Sequence, residues 1–164
     1  GIEIETLAAI GVSAMMHGYM AFNEKEEILV PFRTWRNTNT GKAAEILSEL
    51  FVYNIPLRWS ISHVYQAILN NEEHVKDIHF LTTLAGYIHW QMTGKKVLGV
   101  GDASCMLSIN PDIKDYYAHL VTKFDNLIAD KGHGWTLLDI LPEVLAAGED
   151  AGTLTAEGAK RHEG

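Results

Sequence analysis

Met16, His17 and Gly18 form the part of this sequence best suited to chemistry. An imidazole donates or accepts a hydrogen bond near neutral pH, and a glycine beside it lets a ligand approach the backbone. The three residues follow an apolar run from Leu7 to Val12. This pattern favours a small-ligand site in which His17 bonds a polyol hydroxyl. The alternative left open is a core histidine whose ring is satisfied by a backbone partner.

Two pairs of arginine and tryptophan are the other candidate binding residues. Trp35 precedes Arg36, and Arg58 precedes Trp59. Indole rings offer an apolar face and guanidinium groups donate hydrogen bonds, so these four residues are candidates for the stacking and hydrogen-bonding partners that carbohydrate sites use. Packing of these aromatic side chains in the core is an equally open alternative.

Other catalytic patterns are incomplete. The eight histidines include no pair at the spacing of a zinc-binding HExxH helix, so no metal site is predicted. Gly94-Lys95-Lys96 lacks the Ser or Thr that follows the lysine of a phosphate loop, and Gly99-Val100-Gly101 lacks the third glycine of a dinucleotide-binding turn. Ser13 and Ser104 have no Gly-x-Ser-x-Gly frame.

Composition narrows the class of protein. The 164 residues are 47% apolar and 21% charged, which is typical of one globular domain or a large part of one. A net charge of −8 argues against a nucleic-acid partner. The longest apolar run is interrupted and shorter than the about 20 residues that cross a bilayer, so no membrane association is expected. The single Cys105 predicts a reducing, cytoplasmic location.

The elements that must position His17 are a strand and a hairpin. The run from Leu7 to Val12 predicts a buried strand. Tyr19 to Phe22 and Ile28 to Phe32 predict the two arms of a hairpin over the acidic turn Asn23 to Glu27. Because Pro31 has no N–H to donate, the return arm is expected to be an edge or irregular there.

Helical spacing of apolar residues and helix-start signals predict the rest of the chain. Asn110-Pro111-Asp112 predicts a helix start, because Asn caps and Pro fits the first turn. The remaining polar and apolar runs predict further helices and one short strand. The predicted helices are Gly41 to Val52, Ser60 to Leu69 with Ser60 as its cap, Leu81 to Met92 stopped by Thr93-Gly94, Asn110 to about Ala129 with Ile113 in its apolar stripe, and Trp135 to Leu141. The predicted strand is Lys95 to Val100, which leads into a flexible turn at Gly99 to Asp102. Together, the predicted strands and helices indicate an α/β domain with only part of its sheet present.

The order of several motifs resembles the first domain of the FGGY carbohydrate kinases, most closely their xylulokinase-like branch. The stretch AIGVSAMMHG is similar to the family's Ser-Gly-Gln-Met-His-Gly turn, which touches the sugar. VPFRTWRNT stands where the family has Trp-x-Asp-x-Arg, and LAGYIHWQMTG and GDASCM stand where it has Leu-Thr-Gly and Ser-Asp-Ala-Ser-Gly-Thr. ILP and the later GTLT resemble its Leu-Pro and Gly-x-Leu-Thr stretch, so the resemblance extends from about Leu7 to Gly158.

Four departures bear on which sugar is bound more than on the class. Met15 replaces the Gln of the turn, and the Trp-x-Asp-x-Arg segment reads Trp35-Arg36-Asn37-Thr38-Asn39, without its acid and its base. Asp102 is kept, but Cys105 and Met106 replace Gly-Thr. Gly86-Tyr87 stands where the family often has Asp-Tyr.

The resemblance implies a partial ribonuclease-H-like domain of the actin, sugar-kinase and Hsp70 ATPase type: a sheet strand and a β-hairpin, followed by several helices. Residues 1–164 would be a fragment of the N-terminal, sugar-binding domain. The phosphate loop is then expected before residue 1, and the catalytic aspartate and the ATP-binding C-terminal domain after residue 164.

By the same resemblance, the parent protein would use ATP and Mg²⁺ to phosphorylate a ketopentose or related polyol. Met16 and His17 would contact the sugar, with Trp35 and Arg58 at the pocket wall. No catalytic base is assigned within the chain, which would be inactive alone. A homodimer is also among the expectations, and the opening IEIET would be a helix tail or linker.

Two other functions stay open. One is a non-catalytic sugar-binding or regulatory module of the same fold. The altered segment from Trp35 to Asn39 motivates this alternative. The other is a helical interaction domain whose histidines are incidental.

Overall fold

The computed structural model describes residue 6 and residues 8–160, which form short strands and helices in alternation. The strands are β1 Met20–Phe22, β2 Phe80–Thr82, β3 Val97–Gly99, β4 Ile109–Asn110, β5 Asp115–Tyr116 and β6 Glu143–Leu145. The helices are α1 Gly41–Phe51, α2 Ser60–Leu69, α3 Leu84–Thr93, α4 Val100–Ala103, α5 Ala118–Ile128, α6 Leu137–Ile140 and α7 Ala156–Lys160. Short 3₁₀ turns occupy Glu73–Asp77 and Ala129–Lys131.

The described strands pair in three two-stranded units. β1 and β2 are antiparallel, with Ala21 opposite Leu81. β3 and β6 are parallel, with Leu98 opposite Val144. β4 and β5 form a small hairpin. Parallel pairing of β3 with β6 is the α/β feature of the chain, because it requires the crossover that the intervening helices provide.

The main core lies between the apolar faces of α1, α2 and α5. Leu47 of α1, Val64 of α2 and Phe124 of α5 are completely buried. The helices predicted from Gly41 and from Ser60 to Leu69 are confirmed, since their apolar residues recur at the helical period and find one another in the core. α1 ends one residue earlier than predicted, at Phe51, because Val52 adopts a left-handed conformation.

The predicted strand from Leu7 to Val12 is wrong over its described part. Residues 8–12 form no strand, and residues 8–11 are exposed. A strand is held by hydrogen bonds to a neighbouring strand, and no described segment pairs with residues 8–12. Leu7 and the IEIET stretch, predicted as a helix tail or linker, lie outside the described residues.

The predicted hairpin is present but loosely paired. Tyr19 bridges Arg33, and Phe22 bridges Ile28. The return arm therefore carries more residues between the bridges than the outgoing arm does, and Pro31 lies in this irregular part, as expected. The continuous ladder of β1 is made instead with β2.

The ladder between β1 and β2 explains why the helix predicted from Leu81 begins later than expected. Leu81 and Thr82, predicted as the start of a helix, belong to β2 because they pair with β1. The helix begins at Leu84, where the Thr83 side chain accepts a hydrogen bond from Gly86 N at 3.1 Å. It ends as predicted at Gly94, which is left-handed with φ +74°.

The predicted helix start at Asn110-Pro111-Asp112 is wrong. The Asn110 side chain accepts from Asp112 N at 3.0 Å and closes a turn, while its backbone pairs with Asp115. Such side-chain bonding competes with helix formation, so the helix begins only at Ala118. Ile113, predicted for the apolar stripe, is 64% exposed in the turn.

Two smaller differences concern the second half of the chain. The stretch predicted as a flexible turn after β3 forms the short helix α4. Within the predicted Trp135 to Leu141 helix, only Leu137–Ile140 is helical, started by a capping box between Thr136 and Asp139. Among the described residues, no helix combines the length and the apolar character needed to span a bilayer.

Candidate functional site

The Met16-His17-Gly18 turn leads directly into β1, and Gly18 fixes its shape. Gly18 has φ +114°, a conformation that L side chains rarely adopt. A Cβ at this position would collide with the carbonyl oxygen of Arg33 and lie 3.1 Å from the Phe32 ring. The close approach follows from the hydrogen bond of 2.8 Å that Tyr19 N donates to the same carbonyl. Only glycine fits here.

His17 is held by Arg58. Arg58 Nε donates a hydrogen bond of 3.1 Å to His17 Nε2. A guanidinium has no acceptor, so Nε2 must carry the lone pair and the imidazole proton resides on Nδ1. Burial, followed by the Arg58 charge, lowers the pKa of His17. His17 is therefore a neutral ring with a fixed tautomer, and its Nδ1 has no hydrogen-bond partner among the described residues.

The beginning of α2 holds the turn from one side. Gly18 N donates to the Arg58 carbonyl at 3.1 Å. The Ser60 hydroxyl donates to the Gly18 carbonyl at 2.7 Å. On the other side, Ala85 N at the start of α3 donates to the Met15 carbonyl at 3.3 Å. The turn thus lies between the N-terminal ends of two helices, both anchored in the core.

α2 also joins the turn to the segment around Asp102. Ser60 N donates to the Cys105 carbonyl at 3.3 Å, and Ile61 N donates to the Met106 carbonyl at 3.2 Å. These bonds use backbone donors that a helix start leaves free. Asp102 lies at the end of this segment, and burial raises the pKa of its carboxyl group.

The structure brings together two of the four predicted site residues. Arg58 and His17 are bonded, and Met16 is half-buried beside them in the chain. Trp35 is 48% exposed, with the Arg36 guanidinium carbon 5.3 Å from its ring centre. No hydrogen bond or ring contact links Trp35 with His17 within the described part of the chain.

A polar network of the buried Tyr19 and the half-buried Arg33, Glu72 and His74 packs against the turn, and no sequence pattern indicated it. Tyr19 OH lies 2.8 Å from His74 Nε2, and His74 Nδ1 lies 3.5 Å from a Glu72 carboxylate oxygen. Both Glu72 oxygens accept from the Arg33 guanidinium. Burial raises the pKa of Tyr19, so the phenol stays protonated and donates to His74. The network ties the hairpin to the 3₁₀ turn that contains His74.

The pKa values of Glu72 and His63, two residues of this region, are both lowered. Burial would raise the pKa of Glu72, but hydrogen bonds from Arg33 and Asn70, with the charges of Arg33 and His74, lower it overall. His63 is 1% exposed and stacks on Tyr19, with ring centres 6.1 Å apart. Burial, followed by the Arg33 charge, lowers the pKa of His63 to about 4. Neither His63 nitrogen has a partner among the described residues.

A cavity of about 410 Å³ lies at the ends of β3 and β6. Asp102, His89 and Glu149 are the titratable residues on its wall. His89 Nε2 is already 2.9 Å from the Ala151 carbonyl. The cavity lies outside the carboxyl ends of the parallel strands β3 and β6, which is where open α/β sheets bind ligands.

No group of three His, Cys, Asp or Glu side chains in residues 8–160 could share a metal ion. A Cβ at Gly99 or Gly101 would meet nothing within 4 Å, so no close contact within the described chain requires glycine at either position. No chemical step through ATP is assigned to this part of the chain.

The fold of this chain is similar to the folds of several solved sugar kinases. The chain superimposes with a TM-score of 0.71 on ligand-bound xylulose kinase from Lactobacillus acidophilus, at 14% identity over 92% of this chain and 30% of that one. A gluconate kinase from the same organism gives the same values. A xyloylose kinase from Brucella ovis gives 0.70, at 19% identity over 90% of this chain and 30% of that one. No match was found among curated proteins.

These similarities confirm the α/β ribonuclease-H-like fold. The chain spans only about a third of the length of each of these kinases. A family model for the N-terminal domain of the FGGY family of carbohydrate kinases matches residues 1–163. Because that match covers nearly the whole chain, the chain belongs to the FGGY family of carbohydrate kinases, as part of its N-terminal domain.

Proposed function

We propose that residues 1–164 form the sugar-binding part of an ATP-dependent carbohydrate kinase. The parent protein would phosphorylate a hydroxyl of a ketopentose or related polyol in the cytoplasm. ATP and Mg²⁺ would bind to a C-terminal domain outside this chain, so the chain alone would be inactive. The family match and the kinase neighbours support this proposal.

The bond between Arg58 and His17 is the observation on which the sugar site rests. It leaves the His17 ring neutral with a hydrogen on Nδ1, which has no partner among the described residues. Arg58 is exposed, and its terminal nitrogens make no ion pair with a described carboxylate. The exposed Arg58 therefore presents free N–H donors at the surface, and the Nδ1–H of His17, which is buried in the ligand-free chain, is a further donor whose missing partner a bound sugar would supply. Sugar hydroxyls accept such bonds, and Met16 and Trp35 would supply apolar contact.

The proposal assigns no catalytic base to this chain. Phosphoryl transfer depends mainly on positioning and on stabilising charge, and the base must reach the attacking hydroxyl. No Asp or Glu side chain among the described residues is hydrogen-bonded to His17 or Arg58. The base would therefore come from another part of the parent protein.

Sugar-dependent ADP release from the full reading frame tests the proposal. The panel should hold ketopentoses, other ketoses, polyols, aldoses and sugar acids. We expect release with at least one ketopentose or polyol, and a sugar KM raised about tenfold or more in His17→Ala, which loses the contact but keeps measurable turnover. His119→Ala, at a solvent-side position of α5, is the matched control and should keep full activity. No sugar-dependent ADP from well-folded full-length protein would overturn the kinase function.

A non-catalytic sugar-binding module is the second candidate. It is favoured by the segment from Trp35 to Asn39, which has Asn37 and Asn39 where the Trp-x-Asp-x-Arg motif has its acid and its base, and in which Trp35 is 48% exposed. Isothermal titration with the same panel separates the two functions. Sugar binding without ADP release would support the module, whereas binding with ADP release would support the kinase.

Assembly as a homodimer is a further part of the proposal. Val52, Tyr53 and Leu57 follow α1 closely and are 86%, 54% and 41% exposed, respectively. Burying such apolar side chains favours association. Light scattering of the full-length protein should give twice the monomer mass, and a monomer mass at all concentrations would contradict the dimer.

A further inference from the structure

Ser60 emerges as the residue that fixes the sugar-contacting turn, although it cannot reach the ligand itself. Its hydroxyl donates to the Gly18 carbonyl at 2.7 Å, and Ser60 is 2% exposed. From the sequence, Ser60 is expected only to cap α2. In the structure it is the first residue of that helix, and its side chain makes no cap hydrogen bond.

We propose that Ser60 is a positioning residue for sugar binding, acting through Gly18 on His17; this rests on the proposed function. Gly18 is buried, so its carbonyl has no access to water to replace a lost donor. Its neighbour His17 depends on the same turn to reach Arg58 Nε. Loss of the Ser60 hydroxyl leaves a buried acceptor unpaired, and rotating that peptide moves the His17 ring.

Three contacts make the positioning specific. Gly18 N is bound to the Arg58 carbonyl, and Gly18 O is bound to Ser60, so both ends of the glycine are held by the start of α2. The third side is closed by the Arg33 carbonyl, against which a Cβ would collide. The start of α2 in turn is fixed to the Cys105 carbonyl by Ser60 N. Ser60 thus links the turn to a fixed point in the core.

Ser62 provides a matched control on the same helix. Its hydroxyl donates to the Pro56 carbonyl at 2.9 Å, and it is 0% exposed. Ser60→Ala and Ser62→Ala therefore remove the same group from equally buried positions. Both should lower the melting temperature, but only Ser60→Ala changes the turn that carries His17.

Steady-state kinetics of the full-length protein supply the first measurement. In Ser60→Ala the free protein relieves the unpaired Gly18 carbonyl by shifting the turn, and sugar binding must restore the turn with that carbonyl buried and unpaired. This cost falls on binding, so the sugar KM should rise about tenfold with the ATP KM unchanged. Ser62→Ala should leave both KM values unchanged. Ser60→Cys, which keeps a weak donor, should give a smaller rise and serves if Ser60→Ala folds poorly.

A double-mutant cycle tests whether Ser60 acts through His17. In a His17→Ala background, Ser60→Ala should raise the sugar KM by less than about twofold, because residues that act on one contact are not additive. An equal tenfold rise in both backgrounds would overturn the positioning role. Equal effects of Ser60→Ala and Ser62→Ala on the sugar KM would overturn it as well.

A readout without sugar separates this inference from the proposed function. Long-range ¹H–¹⁵N spectra report the tautomer and environment of the His17 ring. The spectrum should show the Nδ1–H form in the wild type, altered His17 shifts in Ser60→Ala and wild-type shifts in Ser62→Ala. Unchanged His17 shifts in Ser60→Ala would contradict the inference even if the protein is a sugar kinase. Altered shifts without any kinase activity would support the inference and contradict the proposed function.

Discussion

Arg58 Nε donates to His17 Nε2 across 3.1 Å, joining residues 41 positions apart in the chain. This bond decides which nitrogen of the histidine carries a proton, because a guanidinium can only donate. It also places a positive charge beside a half-buried imidazole, which adds to burial in lowering the pKa of His17. The first two predictions concern this pair.

Removing the Arg58 side-chain donor should weaken sugar binding. We expect Arg58→Gln to raise the sugar KM about tenfold or more, since a hydrogen bond to a charged group contributes about 1.5–3 kcal/mol. The ATP KM should not change. Lys42→Gln, at an exposed position of α1, removes the same charge and should leave the sugar KM as in the wild type. An unchanged sugar KM in Arg58→Gln would remove Arg58 from the site.

Sugar affinity should depend on pH through His17. Burial and Arg58 hold the pKa of His17 below its ordinary value of 6.5, so the ring is neutral at pH 8 and protonates at lower pH than a free histidine does. A protonated ring can no longer accept from Arg58 Nε, so affinity should be constant above neutral pH and decline as pH falls through the pKa of His17. In Arg58→Gln the decline should begin at a higher pH, because one of the two causes is removed. Titration calorimetry across this range gives both curves, and identical midpoints would contradict the assignment.

Substituting Gly18 should destabilise the whole domain. Gly18→Ala combines a left-handed φ of +114° with a Cβ that collides with the Arg33 carbonyl. We expect a loss of about 3 kcal/mol or more in the free energy of unfolding. Gly11→Ala is the control, because a Cβ at Gly11 would meet nothing within 4 Å. Urea unfolding of the two variants should differ by most of that amount; equal midpoints would show that the turn adapts to a side chain.

The buried His63 should make stability depend on pH. Its pKa is about 4 in the folded protein against 6.5 as the ordinary value, so the unfolded chain binds the proton more tightly. Stability is then fully present above pH 6.5 and falls as pH drops toward 4, by about 3 kcal/mol in total. His63→Leu, of similar volume, should abolish this part of the slope and change stability at pH 7.5 by no more than about 1 kcal/mol.

Unfolding curves at several pH values between 4 and 7.5 measure that difference. Other histidines titrate in both proteins, so the quantity to compare is the slope of the wild type minus the slope of His63→Leu. Equal slopes would mean that the His63 ring reaches water or a partner when protonated.

Elements whose signals are local could be predicted from the amino-acid sequence alone. Apolar spacing placed α1 and α2, and Gly94 marked the end of α3, because a helix satisfies its backbone within one segment. The order of motifs also determined the family, since the whole stretch matches the FGGY N-terminal domain. The turn Met16-His17-Gly18 was found in this way as a candidate site.

Features that depend on partners distant in the sequence became visible only in the folded chain. Residues 8–12 lack a strand because strand formation needs a neighbour, whereas Leu81 and Thr82 become a strand because β1 is beside them. Likewise, nothing in the spacing of His17, Arg58 and Ser60 shows that α2 begins against the turn. Their side chains meet through packing of elements far apart in sequence, and that packing selects the tautomer of His17 and the conformation of Gly18.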